Sequence, residues 1–69
     1  MQFNHILVVC VGNICRSPMA EYLLKQEFPT LSIHSAGISA MVGYPADEKA
    51  QLCMSRLGID MQQHRAHKL

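Results

Sequence analysis

Six apolar residues in unbroken succession, Ile6-Leu7-Val8-Val9-Cys10-Val11, stop abruptly at Gly12-Asn13. A run so rich in β-branched side chains and lacking polar alternation predicts a strand buried on both faces, as in a parallel sheet. Glycine and asparagine tolerate the positive φ of a tight turn. A helix start follows at once, with Ser17 as the expected N-cap and Pro18 in the first turn, where its missing N–H costs nothing. Strand, tight loop and helix within twenty residues commit the chain to an α/β arrangement.

The remainder repeats the unit. Ala20, Leu23, Leu24 and Phe28 fall at helical spacing, and Pro29 ends that helix. Leu31 to Ser35 alternates apolar and polar and reads as a second strand. Ala36-Gly37 opens a loop that runs through Gly43 and Pro45. A second helix is expected after Asp47 as N-cap, with Ala50, Cys53, Met54 and Leu57 as its core stripe and Gly58 as its stop. The order is β-α-β-α. After Gln62 the chain runs to Leu69 without a third strand signal, so residues 1–69 are expected to form a single, incomplete domain with exposed strand edges open to self-association.

Composition narrows the function classes. Hydrophobic residues make up 49% of the chain and charged ones 16%, which favours a folded core over disorder. The net charge of +1 gives no pull toward nucleic acid or an anionic membrane. The Ile6–Val11 run is too short to span a bilayer, and Met1–His5 lacks the Lys/Arg of a secretory leader, so a soluble cytoplasmic protein is expected. Three cysteines, Cys10, Cys15 and Cys53, form an odd set without zinc-type pairing, so thiols are expected rather than disulfides or a metal site. Cys53 reads as core, His5 and His34 as surface histidines, and Arg65 and Lys68 as solvated charges.

The chemistry is concentrated in Cys10-Val11-Gly12-Asn13-Ile14-Cys15-Arg16-Ser17. Successive backbone N–H groups of such a loop form a nest for an anion, and the start of the following helix adds donors and the positive end of its dipole. The fork of Arg16 suits a phosphate bidentately. The same field favours a thiolate at Cys10, and Ser17 can donate to that sulfur. A thiolate facing a clamped phosphoryl group is placed for in-line attack through a phosphocysteine, without metal or cofactor. The plainer alternative is a buried thiol at Cys10, a solvated Arg16 and a merely capping Ser17.

Residues 9–21, Val-Cys-Val-Gly-Asn-Ile-Cys-Arg-Ser-Pro-Met-Ala-Glu, resemble the signature of low-molecular-weight protein tyrosine phosphatases. The similarity continues through Ser35-Ala36-Gly37, Gly43, Asp47, Gly58-Ile59-Asp60 and His64, and so covers essentially the whole chain. Over Ser35 to Asp47 it is similar to the bacterial branch associated with capsule and exopolysaccharide production. The resemblance implies the family's three-layer parallel-sheet fold, here its first β-α-β-α portion. It implies Cys10 as nucleophile, Arg16 as transition-state arginine, and residues Val11 to Arg16 as the phosphate cradle. Asn13 is implied as the shaping residue of that cradle, tied to Ser17, Ser35 and His64. Cys15 is implied as a redox partner that can shield Cys10 from irreversible oxidation. Met41 or Tyr44 would wall the substrate ring. The implied partner is a phosphotyrosine protein, in that branch the tyrosine-rich tail of an autophosphorylating membrane kinase.

This chain departs from the family pattern in two places. The family's general acid, an aspartate in an Asp-Pro-Tyr-type segment, falls beyond residue 69, and Asp47 and Asp60 read as cap and turn residues. His67 stands where relatives usually carry arginine. Two other functions stay open on sequence grounds. An arsenate reductase of the same fold would need redox cysteines that Cys53 does not supply. A non-catalytic module would bind phosphate or phosphotyrosine without turnover.

Overall fold

The computed structural model describes residues 4–69; Met1–Phe3, part of the segment read as lacking a leader, lie outside the described residues. The element order is β1 (His5–Cys10), α1 (Arg16–Glu27), β2 (Ser32–Gly37) and α2 (Glu48–Arg56), the expected β-α-β-α. β1 and β2 pair in parallel, with His5 opposite Ser32 and Cys10 opposite Gly37. β2 begins and ends later than its alternation suggested, because Ala36 and Gly37 remain in the ladder. A parallel bridge between Gly37 and Lys68 then adds a third chain segment beside β2. It is held by Gly37 N–H donating to His67 O at 2.8 Å and Leu69 N–H donating to Gly37 O at 2.9 Å. The chain end is therefore tied to the sheet, where the sequence carried no strand signal.

Burial along β1 alternates instead of being continuous. Ile6, Val8 and Cys10 are half-buried on the face that carries Ile33 and Ser35, and α1 covers that face. Leu7 and Val9 point the other way and are 53% and 42% exposed, so the expectation of a strand buried on both faces fails for the described residues. The fold is a slab, with its shortest dimension 15 Å.

Helix α1 packs through Ser17, Pro18 and Glu21 rather than through its apolar stripe; Leu23 and Phe28 are exposed. The main core is elsewhere, among Ala46, Ala50, Met54, Ile59 and Met61, with Met19 and Tyr22 of α1 packed against it. Met54 is completely buried, a contribution of about 1.5–3 kcal/mol for a side chain of this size. Asp47 caps α2 as expected, accepting from Lys49 N–H at 3.0 Å and Ala50 N–H at 3.3 Å. Gly58 follows that helix with φ +78°, the left-handed stop that glycine permits. Only half of the expected α2 stripe is core: Ala50 and Met54 are buried, whereas Cys53 and Leu57 are exposed. Among the described residues, no helix is long and apolar enough to cross a membrane.

Candidate active site

The loop between β1 and α1 is held open as a cradle by one residue. Asn13 is fully buried and adopts φ 59°, the left-handed conformation that asparagine tolerates. Its side chain and carbonyl are all engaged. Nδ2 donates to Ser17 Oγ at 2.9 Å and to Ser35 Oγ at 2.8 Å. Oδ1 accepts from His67 N–H at 2.8 Å, and His64 Nε2–H donates to the Asn13 carbonyl at 2.8 Å. Asn13, Ser17, Ser35 and His64 thus meet in one buried cluster drawn from the loop, α1, β2 and the terminal segment.

Ser17 is not the helix cap. Cys15 occupies that position with no side-chain bond, and Ser17 sits inside the first turn. Its Oγ lies 2.7 Å from Cys10 Sγ, a better use for a buried hydroxyl than an amide of its own helix. The Asn13 amide donates to the same sulfur at 3.2 Å. Burial pushes the Cys10 thiol up, but hydrogen bonds from the Ser17 side chain and from the Ser17, Asn13 and Gly12 amides outweigh it and hold it below its ordinary value. The Ser17 hydroxyl and the Asn13 amide on one sulfur favour the thiolate.

Residues Val8 to Ser17, with Ala20, line an open hollow of about 570 Å³. Arg16 opens α1 at its rim, exposed and next to Ser17, and Cys15 is likewise exposed. Among the described residues, the amides of Ile14, Cys15 and Arg16 have no backbone acceptor, so they are available to an anion in the hollow. Gly37 closes the back of the loop. A Cβ there would stand 2.5 Å from Val11 O and 3.1 Å from Asn13 N. The loop following Gly37 clamps the cradle through Ile38 N–H to Cys10 O at 2.9 Å, Ser39 N–H to Val11 O at 3.0 Å and Met41 N–H to Gly12 O at 3.2 Å. Met41 and Tyr44 on this loop are exposed.

Sequence reasoning missed two contributors. Glu21 is buried on α1 and accepts from Ser35 Oγ; an isolated acid on a helix carries no signal of that. The His67 amide holds Asn13 through backbone alone, which no residue type announces. Arg65 is exposed, in line with a solvated charge, and also donates from Nη1 to Gln62 O at 2.9 Å and His64 O at 2.6 Å, pinning the turn that presents His64. Asp60 accepts from Gln62 N–H and Asp47 from the α2 amides, so both carboxylates are engaged away from the cradle. Among the described residues there is no cluster of three or more His, Cys, Asp or Glu able to hold a metal.

A thiol held by the Ser17 hydroxyl and the Asn13 amide thus stands at the mouth of a strand-loop-helix cradle, with an arginine opening the helix. The family model "Low molecular weight phosphotyrosine protein phosphatase" matches residues 5–69, and the chain belongs to that family. It is 77% identical over 69 residues to the low molecular weight protein-tyrosine-phosphatase Ptp of Acinetobacter johnsonii, covering all of this chain and 49% of that protein. The crystal structure of the Erwinia amylovora tyrosine phosphatase AmsI superposes with a TM-score of 0.96 at 51% identity, over 99% of this chain and 45% of that one. Vibrio vulnificus Wzb in complex with benzylphosphonate gives a TM-score of 0.95 at 42% identity, over 99% of this chain and 49% of that one. The chain spans about half the length of these relatives.

Proposed function

We propose that residues 1–69 are the nucleophile-bearing part of a cytoplasmic protein tyrosine phosphatase domain. Cys10 Sγ attacks phosphorus in line, the bond to the tyrosine oxygen breaks, and a phosphocysteine forms. Water then attacks phosphorus and the Cys10 thiolate leaves, stabilised by the Ser17 hydroxyl. Arg16 and the amides of residues 11–16 hold the equatorial oxygens throughout. The proton for the tyrosine oxygen belongs, on the family resemblance, to an aspartate beyond residue 69. Met41 or Tyr44 borders the ring, and Cys15 is the redox partner of Cys10. The substrate class is a phosphotyrosine protein, such as the tyrosine-rich tail of an autophosphorylating kinase of polysaccharide export.

The observation that carries this reading is the Cys10 sulfur under Ser17 Oγ and the Asn13 amide, at the head of a helix that opens with Arg16. Family membership and the benzylphosphonate complex of a relative add support. The test is hydrolysis of p-nitrophenyl phosphate, whose leaving group needs little acid assistance. Turnover that disappears in Cys10→Ser is expected. A folded chain that releases no p-nitrophenol, or whose Cys10→Ser variant works equally well, refutes the assignment.

A further inference from the structure

Glu21 is 7% exposed on the sheet-facing side of α1, and the reaction above gives it no task. One carboxylate oxygen accepts from Ser35 Oγ on β2. The other lies 2.6 Å from Nζ of Lys25, one turn along the helix and itself partly exposed. A carboxylate buried this far persists when it is paired and hydrogen-bonded, and both conditions are met.

Donor and acceptor counts then fix a direction. Ser35 has a single hydroxyl proton and a carboxylate can only accept, so that proton is committed to Glu21. Ser35 Oγ must accept from Asn13 Nδ2, whose second proton goes to Ser17 Oγ. Asn13 is held from turning its amide over because Oδ1 accepts from the His67 amide. Ser17 Oγ, having accepted, keeps its own proton for Cys10 Sγ. The order set at Glu21 therefore ends at the sulfur.

We propose that Glu21, with Lys25 as its counter-ion, is a positioning residue that orients the Ser35–Asn13–Ser17 chain so that the Ser17 hydroxyl proton points at Cys10. This rests on the reading of Cys10 as a nucleophilic thiolate. Without an acceptor at position 21, the Ser35 hydroxyl turns freely, its oxygen is no longer held on Asn13 Nδ2, and the Asn13 amide grips the Ser17 oxygen less firmly. The ionisable groups around the chain are Lys25 and Tyr22 on α1, Asp60 and Arg65 near Tyr22, and His64 on the Asn13 carbonyl. Burial, and then the negative charge of Glu21, hold the Tyr22 phenol above its ordinary range, so it stays neutral.

The test is iodoacetamide alkylation of Cys10, read site by site by mass spectrometry across pH, with exposed Cys53 as internal reference. Removing a negative charge would by itself favour the thiolate and speed alkylation; losing the hydrogen-bond order slows it. Glu21→Leu, and Glu21→Asp, which keeps the charge but withdraws the acceptor, should slow Cys10 alkylation ~10-fold near neutral pH and move the profile upward. Glu21→Gln, presenting its amide oxygen to Ser35, should recover most of the rate. In a Ser35→Ala background Glu21→Leu should add no further slowing. Faster alkylation in both Glu21→Leu and Glu21→Gln, or equal slowing by Glu21→Leu with and without Ser35, overturns the proposal. If Glu21→Leu loses the native circular dichroism, the contrast between Asp and Gln decides it: slowing in Gln but not in Asp overturns it. A wild-type Cys10 that reacts no faster than Cys53 defeats the nucleophile reading itself, a distinguishable result.

Discussion

At the residue scale, the site depends on side chains that each perform one geometric task. Ser17→Ala removes the hydroxyl that favours the Cys10 thiolate, so the Cys10 pKa should rise, the thiolate fraction near neutral pH should fall, and alkylation should slow; a pH profile of that rate checks the sign. Arg16→Lys keeps a charge but loses the planar fork, and should lower kcat for p-nitrophenyl phosphate by about 10²-fold. The residues with chemistry of their own, Cys10, Arg16 and Asn13, were legible because thiol, guanidinium and a turn-forming amide within eight positions have few joint uses. Ser17 was visible but assigned the wrong bond, since a serine before proline reads as a cap until the sulfur is seen 2.7 Å away. Glu21 was illegible: an acid four residues before a lysine is the pattern of a solvated helix pair, and only the approach of β2 buries it.

At the scale of elements, the cradle depends on how closely β2 and its following loop approach β1. Gly37→Ala forces a Cβ against the Val11 carbonyl and should cost about 1–3 kcal/mol in urea unfolding, with loss of p-nitrophenyl phosphate turnover as the loop shifts. Asp47→Ala removes the α2 cap and should cost about 1 kcal/mol while leaving Cys10 alkylation nearly unchanged, because the cap lies outside the Cys10 hydrogen-bond cluster. Both helices and both strands were legible from period, caps and breakers. Their facing was not. The apolar stripes of α1 and α2 and the unbroken run of β1 marked which residues could be buried, but burial depends on what packs opposite. Here Leu7, Val9, Leu23, Phe28 and Leu57 have no neighbour deep enough to cover them.

At the scale of the whole molecule, the described chain is a two-stranded parallel sheet covered on one face by α1, with a compact core beside it and an open apolar face. On that open face Leu7 and Val9 of β1 present their side chains to solvent. Sedimentation should therefore show association that grows with concentration and weakens in Leu7→Lys; a monodisperse species indifferent to that substitution would count against an adhesive sheet face. The cradle itself is assembled within residues 10–67, since every partner of Asn13 and Cys10 described above lies inside that span. A phosphoryl transfer step that needs only nucleophile, amides and arginine can therefore be sought in this chain directly.

The most direct measurement is acid-quenched mass spectrometry after mixing the chain with p-nitrophenyl phosphate. One phosphoryl group on the peptide carrying Cys10, absent from Cys10→Ser, is the expected result. Release of p-nitrophenol with no phosphoryl group on Cys10, or with one on another residue, would contradict the assignment of Cys10 as the nucleophile.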